Sequence, residues 1–131
     1  MVLSSEDGVY AWGFANNGKL GIGAQHREQV EAPYNRYFPM PNYIGGLSKV
    51  KVLQISCGPN HSLALAPEGI YSWGSGDGGR LGHGHDEDCT VPKYIDALKD
   101  HIVLQISAGY WHSAAVILIP PLRQGGWVSE I

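Results

Sequence analysis

Val9-Tyr10-Ala11-Trp12-Gly13 returns as Ile70-Tyr71-Ser72-Trp73-Gly74, 61 positions on. At the same offset, Gly18-Lys19-Leu20-Gly21-Ile22-Gly23 becomes Gly79-Arg80-Leu81-Gly82-His83-Gly84. A second block runs from Pro41-Asn42-Tyr43-Ile44 through Leu53-Gln54-Ile55-Ser56-Cys57-Gly58 to His61-Ser62. It returns 51 positions on, from Pro92-Lys93-Tyr94-Ile95 to His112-Ser113. The first copy therefore carries ten extra residues, between Ala24 and Met40. A repeat of this size belongs to solenoids and propellers, in which one unit cannot bury its own apolar face.

Within a unit the signals are those of strands. Val52 to Cys57 and Val103 to Ser107 alternate roughly with period two. Ser62 to Leu65 leads through Pro67-Glu68-Gly69 into Ile70 to Trp73, two apolar runs joined as in a hairpin. Each unit offers four short strands: Pro-x-Tyr-Ile, Leu-Gln-Ile-Ser, His-Ser and Tyr-x-Trp-Gly. Four strands per unit is the pattern of a propeller blade, so the predicted fold class is all-β. Gln25 to Pro39 reads as a long loop. Trp12 and Trp73 are expected to bury large apolar area between blades. Gly13, Gly21, Gly74 and Gly82 recur where positive φ or close approach is expected. Gly76 faces Ala15 in the other repeat and is expected to be dispensable.

The repeats occupy 1–117, and the tail 118–131 leaves the pattern, as in a chain cut short of its full repeat number. Only about two units fit, whereas propellers close with about 4–8 blades. A short array without caps exposes strand edges and both inter-blade faces. Self-association, or completion by blades of another chain, is the expected remedy.

Composition excludes several functions. Net charge is −3 with charged residues at 16%, and the nine basic residues are scattered. That is neither a nucleic-acid footprint nor a membrane-binding charge block. Two cysteines make no disulfide framework. Met1 to Glu6 lacks the basic start and apolar run of a signal peptide. The run Ala114–Ile119 is too short to cross a bilayer. The expected location is cytoplasmic or nuclear, with no membrane partner and no direct nucleic-acid partner.

Three motifs invite a chemical reading. Gly74-Ser75-Gly76-Asp77-Gly78-Gly79 has the Gly-x-Gly-x-x-Gly form, but a dinucleotide site needs a helix start behind it, and Arg80-Leu81-Gly82-His83-Gly84-His85 is not one. His83, His85 and Cys89 could ligate zinc, yet a closed tetrahedral site needs a fourth ligand, and Ile22 stands at the equivalent of His83. His61 and His112 each precede a serine. Neighbours in a strand point to opposite faces, so His61 cannot activate Ser62. No catalytic residue, metal or cofactor is expected.

Residues the repeat does not share are the candidates for binding. Tyr34, Arg36, Tyr37 and Phe38 lie in the insert, which reads either as a contact surface or as a solvent loop. His85, Asp86 and Asp88 follow the second glycine-rich segment. Trp111 stands where the other copy has Asn60. Loops on a rigid scaffold concentrate function, and Trp, Tyr and Arg are enriched at protein contacts.

The ordered set Tyr-x-Trp-Gly, Gly-Lys/Arg-Leu-Gly-x-Gly, Pro-x-x-Ile and Ile-Ser-x-Gly-x-x-His-Ser resembles the regulator of chromosome condensation repeat. The resemblance covers about Leu3 to Val116. It implies a seven-bladed β-propeller of which this chain holds about two blades. It also implies a protein–protein interaction module, part of a larger regulatory protein. One alternative is a guanine-nucleotide exchange module for a small GTPase, which works without covalent chemistry. Another is a regulatory or substrate-recruiting domain of a ubiquitin ligase. Ultraviolet-B photoreceptors of this fold carry Gly-Trp-Arg-His-Thr. Here Gly109-Tyr110-Trp111-His112-Ser113 departs from it at two positions, which speaks against photoreception.

Overall fold

The computed structural model describes residues 1–4, 8–23 and 37–118. The described residues form nine strands: β1 (Val2–Ser4), β2 (Gly8–Phe14), β3 (Tyr37–Tyr43), β4 (Gln54–Cys57), β5 (His61–Ala66), β6 (Gly69–Gly74), β7 (Cys89–Tyr94), β8 (Ile102–Ala108) and β9 (Ser113–Leu118). They build three antiparallel sheets, β1-β2-β3, β4-β5-β6-β7 and β8-β9. The middle sheet is a complete four-stranded meander. The outer two carry parts of the same pattern.

The Pro-x-Tyr-Ile strand closes a sheet rather than opening one, because β7 pairs with β6, Tyr94 opposite Tyr71. The sequence unit therefore straddles two sheets. Its two copies fold alike. The cross-strand pairs Tyr10–Tyr43 and Tyr71–Tyr94 both have ring centroids 5.4 Å apart. Gly13 and Gly74 share φ 107°, and Gly21 and Gly82 have φ 74° and 78°. These are left-handed values that side chains resist.

Three sequence expectations need correction. The insert is not loop to its end: Tyr37, Phe38 and Pro39 belong to β3. The pairing of β2 with β3 is irregular between Ala11 and Gly13. Pro39 and Pro41 fall in that unpaired stretch, on an edge strand where a missing N–H is tolerated. Gly76 is not dispensable. Its φ is ordinary, but a Cβ there would run into the Glu87 carbonyl. Trp12 is not core: it is 39% exposed, whereas Trp73 is 0% exposed. Both stand on the same side of their strands, but among the described residues only Trp73 has a neighbouring sheet on that side.

Apolar side chains fill the spaces between sheets. Val9, Ala11, Leu20, Ile44, Leu47 and Ala64 pack with Trp73 between the first sheet and the second. Leu63, Leu65, Ile70, Ile95 and Ile106 pack between the second and the third. Each sheet thus buries one face on the next, as layered repeats must.

Candidate functional site

In an antiparallel meander successive connections alternate between the two ends of the sheet. The β4–β5, β6–β7 and β8–β9 connections therefore share one end. Residues 58–60, 75–88 and 109–112 lie there.

A repeated clamp holds this end together. The Lys19 carbonyl accepts from Ser62 Oγ and from Trp73 Nε1, both at 3.0 Å, and Lys19 Nζ donates to the Pro59 carbonyl at 3.1 Å. Burial lowers the Lys19 ammonium pKa below its usual value. One unit on, the Arg80 carbonyl accepts from Ser113 Oγ at 2.8 Å, and Arg80 Nη1 donates to the Tyr110 carbonyl at 3.2 Å. Arg80 is buried, and its Nε donates to the Asp77 carbonyl at 2.8 Å.

The second clamp differs from the first in its side chains, and no indole donates to its carbonyl among the described residues. Arg80 has replaced Lys19 and Trp111 has replaced Asn60, and the guanidinium carbon sits 4.6 Å from the Trp111 ring centroid. Arginine stacks on aromatic faces in a way lysine does not. Trp111 also lies 5.3 Å from the Tyr110 ring and is 61% exposed. The outcome is an aromatic ledge on solvent, braced from below by a buried cation. Tyr110 was missed among the unshared residues. Its counterpart Pro59 was the available signal.

The other candidates are placed unequally. Tyr34 and Arg36 lie outside the described residues. Tyr37 is exposed and packs edge-on against Phe14, centroids 6.4 Å apart. Phe38 is not a surface residue: it alternates inward from β3, is 7% exposed, and belongs to the first core cluster. Asp88 braces two loops. One carboxylate oxygen accepts from the Gly76 N–H at 2.9 Å and the other from Asn17 Nδ2 at 3.3 Å. His85 Nδ1 accepts from the Glu87 N–H at 3.1 Å. Asp86 is exposed.

The histidines face hydroxyls of an unexpected kind. His61 Nε2 lies 2.9 Å from Ser113 Oγ, across the sheet boundary rather than beside Ser62. Ser113 gives its single proton to the Arg80 carbonyl, so His61 Nε2 must be the donor in that pair. A general base would have to accept from the hydroxyl instead. Among the described residues His61 Nδ1 has no partner to orient it. Ser72 and His83 repeat the arrangement: Ser72 Oγ donates to the Leu81 carbonyl at 2.7 Å and lies 2.9 Å from His83 Nε2. Burial, first, and the Arg80 charge depress the His61 pKa. Burial, first, and Lys93 depress that of His83. Both stay neutral as structural donors.

His83 and His85 have ring centroids 5.9 Å apart, but each already spends a ring nitrogen on the bonds above. Among the described residues no three metal-ligating side chains converge. The Gly-x-Gly-x-x-Gly segment runs into a three-residue 3-10 turn, Asp77–Gly79, too short to offer a phosphate the N-terminus of a helix. Among the described residues no helix is long and apolar enough to cross a membrane.

A four-stranded meander that locks to its neighbours through the same carbonyl clamp is a blade of a β-propeller, and this chain is a partial propeller. It belongs to the regulator of chromosome condensation (RCC1) repeat family, whose pattern matches residues 6–65 and 68–116. The E3 ubiquitin-protein ligase HERC2 of Mus musculus is 39% identical over 110 residues, covering 83% of this chain and 2% of that protein. The ultraviolet-B receptor UVR8 of Arabidopsis thaliana is 36% identical over 120 residues, covering 91% of this chain and 25% of the receptor. Prp20p of Saccharomyces cerevisiae superposes with a TM-score of 0.74 at 27% identity, over 89% of this chain and 28% of that one. That structure was described with its binding properties to Gsp1p and histones. Yeast RCC1 (Prp20) has also been solved bound to Kap60. The chain spans only a small part of each of these proteins.

Proposed function

We propose that the chain is an interaction module whose partner-binding end is built around Trp111. The carrying observation is that Trp111 is exposed at a position its repeat counterpart does not share, yet packs against Arg80 and Tyr110. Rigid aromatic anchors beside arginine are the usual energetic centres of protein contacts. Tyr110, His85 and Asp86 border the same end, Tyr37 is an exposed aromatic on β3, and Tyr34 and Arg36 stay candidate contact residues on their sequence alone. Asp88 contributes by fixing the loop, and Phe38 only by packing. The partner is a protein met in the cytosol or nucleus, and binding involves no covalent chemistry.

Exchange on a small GTPase is the second reading, favoured by the likeness to Prp20p. A recruiting domain of a ubiquitin ligase is the third, favoured by HERC2. Purified Gsp1p and core histones serve as probes in a binding titration with the chain and its Trp111→Ala variant. Binding that falls with Trp111→Ala supports the interaction reading, and faster nucleotide release from Gsp1p would select exchange. Binding of both probes unchanged by Trp111→Ala would move the site away from this end.

A further inference from the structure

Trp73 keys the first blade interface. Its indole donates to the Lys19 carbonyl. A Cβ on Gly21 would come within 2.6 Å of that nitrogen. Leu20, Ile44, Leu47 and Ala64 belong to the same cluster. The repeat converts these six surroundings into Arg80, Gly82, Leu81, Ile95, Leu98 and Ala115. All six line one cavity of about 400 Å³ beside β9. A Cβ on Gly82 would meet nothing nearer than Ile95 at 3.5 Å. The cavity is an indole slot by construction: a left-handed glycine floor, aliphatic walls, and a carbonyl placed to accept a second donor beside Ser113.

The opposite end of the chain presents the matching group. Trp12 is the repeat counterpart of Trp73 and stands on β2 with 39% of its surface exposed. β1 pairs only with Gly8, Val9 and Tyr10. The equivalent strand β5 pairs with β6 along its whole length, Gly69 to Gly74. The Ala11–Gly13 edge of β2 is therefore open among the described residues. So is one edge of β9, which pairs with β8 alone and carries exposed Val116 and Leu118.

We infer that copies of this chain associate head to tail: β9 of one copy pairs antiparallel with β2 of the next, displaces its short β1, and receives its Trp12 in the Gly82 slot. The strands β8-β9 of one copy and β2-β3 of the other then make a four-stranded blade like the middle one. The register carries over from β5 and β6, where Ser62 faces Trp73, Leu63 faces Ser72 and Leu65 faces Ile70. Ser113 therefore faces Trp12, Ala114 faces Ala11, and Val116 faces Val9. The indole donates to the Arg80 carbonyl, and Val116 is covered by the second copy's middle blade. The slot is continuous with the interface already formed between the second and third sheets. Such a contact is heterologous, giving a ring where the rotation closes and an open chain where it does not.

Sedimentation velocity of the full chain across the micromolar range tests this. The expected result is concentration-dependent association that Trp12→Ala and Gly82→Ala each weaken at least tenfold, while Trp127→Ala does not change it. Should Gly82→Ala fold poorly by circular dichroism, Ala115→Leu fills the slot without touching a left-handed backbone. In a background with Cys57→Ser and Cys89→Ser, a mixture of Ala11→Cys and Ala114→Cys chains should oxidise to a covalent dimer faster than either alone. A monomeric parent chain overturns the inference. So does association indifferent to Trp12 and the slot, the failure of the mixed cross-link, or loss of association on Trp127→Ala, which would put the chain's own tail in the slot.

Discussion

Replacing Trp73 by alanine should unlock the first two blades, while the same change at Trp12 should cost the monomer less. A fully buried tryptophan removes roughly 150–250 Å² from water, which at about 25 cal/mol per Å² is about 4–6 kcal/mol. The Lys19 carbonyl keeps the Ser62 hydroxyl, so the lost indole bond adds only about 1 kcal/mol. Partial collapse of the site offsets some of this, and Trp→Ala changes in cores cost about 3–5 kcal/mol. That is a large share of a small domain's stability of about 5–15 kcal/mol. Trp12 is 39% exposed, so about 90–150 Å² of it is covered in the monomer, and Trp12→Ala should cost about 2–4 kcal/mol at the same coefficient, less than Trp73→Ala. The assay is urea unfolding by tryptophan fluorescence and circular dichroism, at concentrations that keep the chain monomeric. Trp73→Phe, which keeps most of the apolar area and loses the donor, provides an intermediate should Trp73→Ala not fold. Equal losses at Trp73 and Trp12 would refute the packing described here.

Further outcomes follow from the same contacts. Gly21→Ala and Gly82→Ala both force a side chain to φ near 75°, costing about 1–2 kcal/mol. Only Gly21→Ala also strikes Trp73, so its melting temperature should fall further; equal shifts would contradict the clash. The pKa values of His61 and His83 are both depressed by folding, so on acidification the unfolded chain takes up protons first. Stability should be full above about pH 6.5 and be lost as pH falls below it. His61→Gln with His83→Gln should flatten that slope, and a wild-type melt that does not fall on acidification would contradict it. Trp111→Ala should weaken partner binding by about 2 kcal/mol or more with stability unchanged within about 0.5 kcal/mol, read by titration beside a melt. A matched fall in both would make Trp111 a scaffold residue.

What the repeat made legible is what each unit needs for itself. Recurrence marked Gly13 with Gly74 and Gly21 with Gly82, and all four sit at positive φ. The period-two runs became β4 and β8, and the apolar run before Pro67 became β5. What stayed hidden depends on the neighbour, which a unit's own residues do not encode. Trp12 and Trp73 share the Tyr-x-Trp-Gly context, and among the described residues a preceding sheet packs only on Trp73. Gly76 looked free because Ala15 fills its place, but in the second loop the Glu87 backbone comes close to it. Phe38 read as loop because the insert around it is polar and Tyr-rich, whereas an irregular edge strand accommodates Pro39 and Pro41 beside it. The His61–Ser113 bond joins residues 52 apart, and the local His-Ser pairing gave no sign of it. Trp111 was legible as unshared. Its brace was not, because Lys19 and Arg80 look interchangeable until the guanidinium is seen beneath the ring.

The inter-blade lock is tested most directly by nuclear Overhauser contacts from the Trp73 indole N–H in the Ala115→Leu chain, whose filled slot keeps it monomeric. It donates to the Lys19 carbonyl and lies over Gly21, so the expected spectrum shows a slowly exchanging indole proton with cross-peaks to the Gly21 α-protons, and a rapidly exchanging Trp12 indole without the corresponding contact. A rapidly exchanging Trp73 indole with no cross-peak to Gly21 would contradict the blade packing on which the site, the slot and the head-to-tail contact all stand.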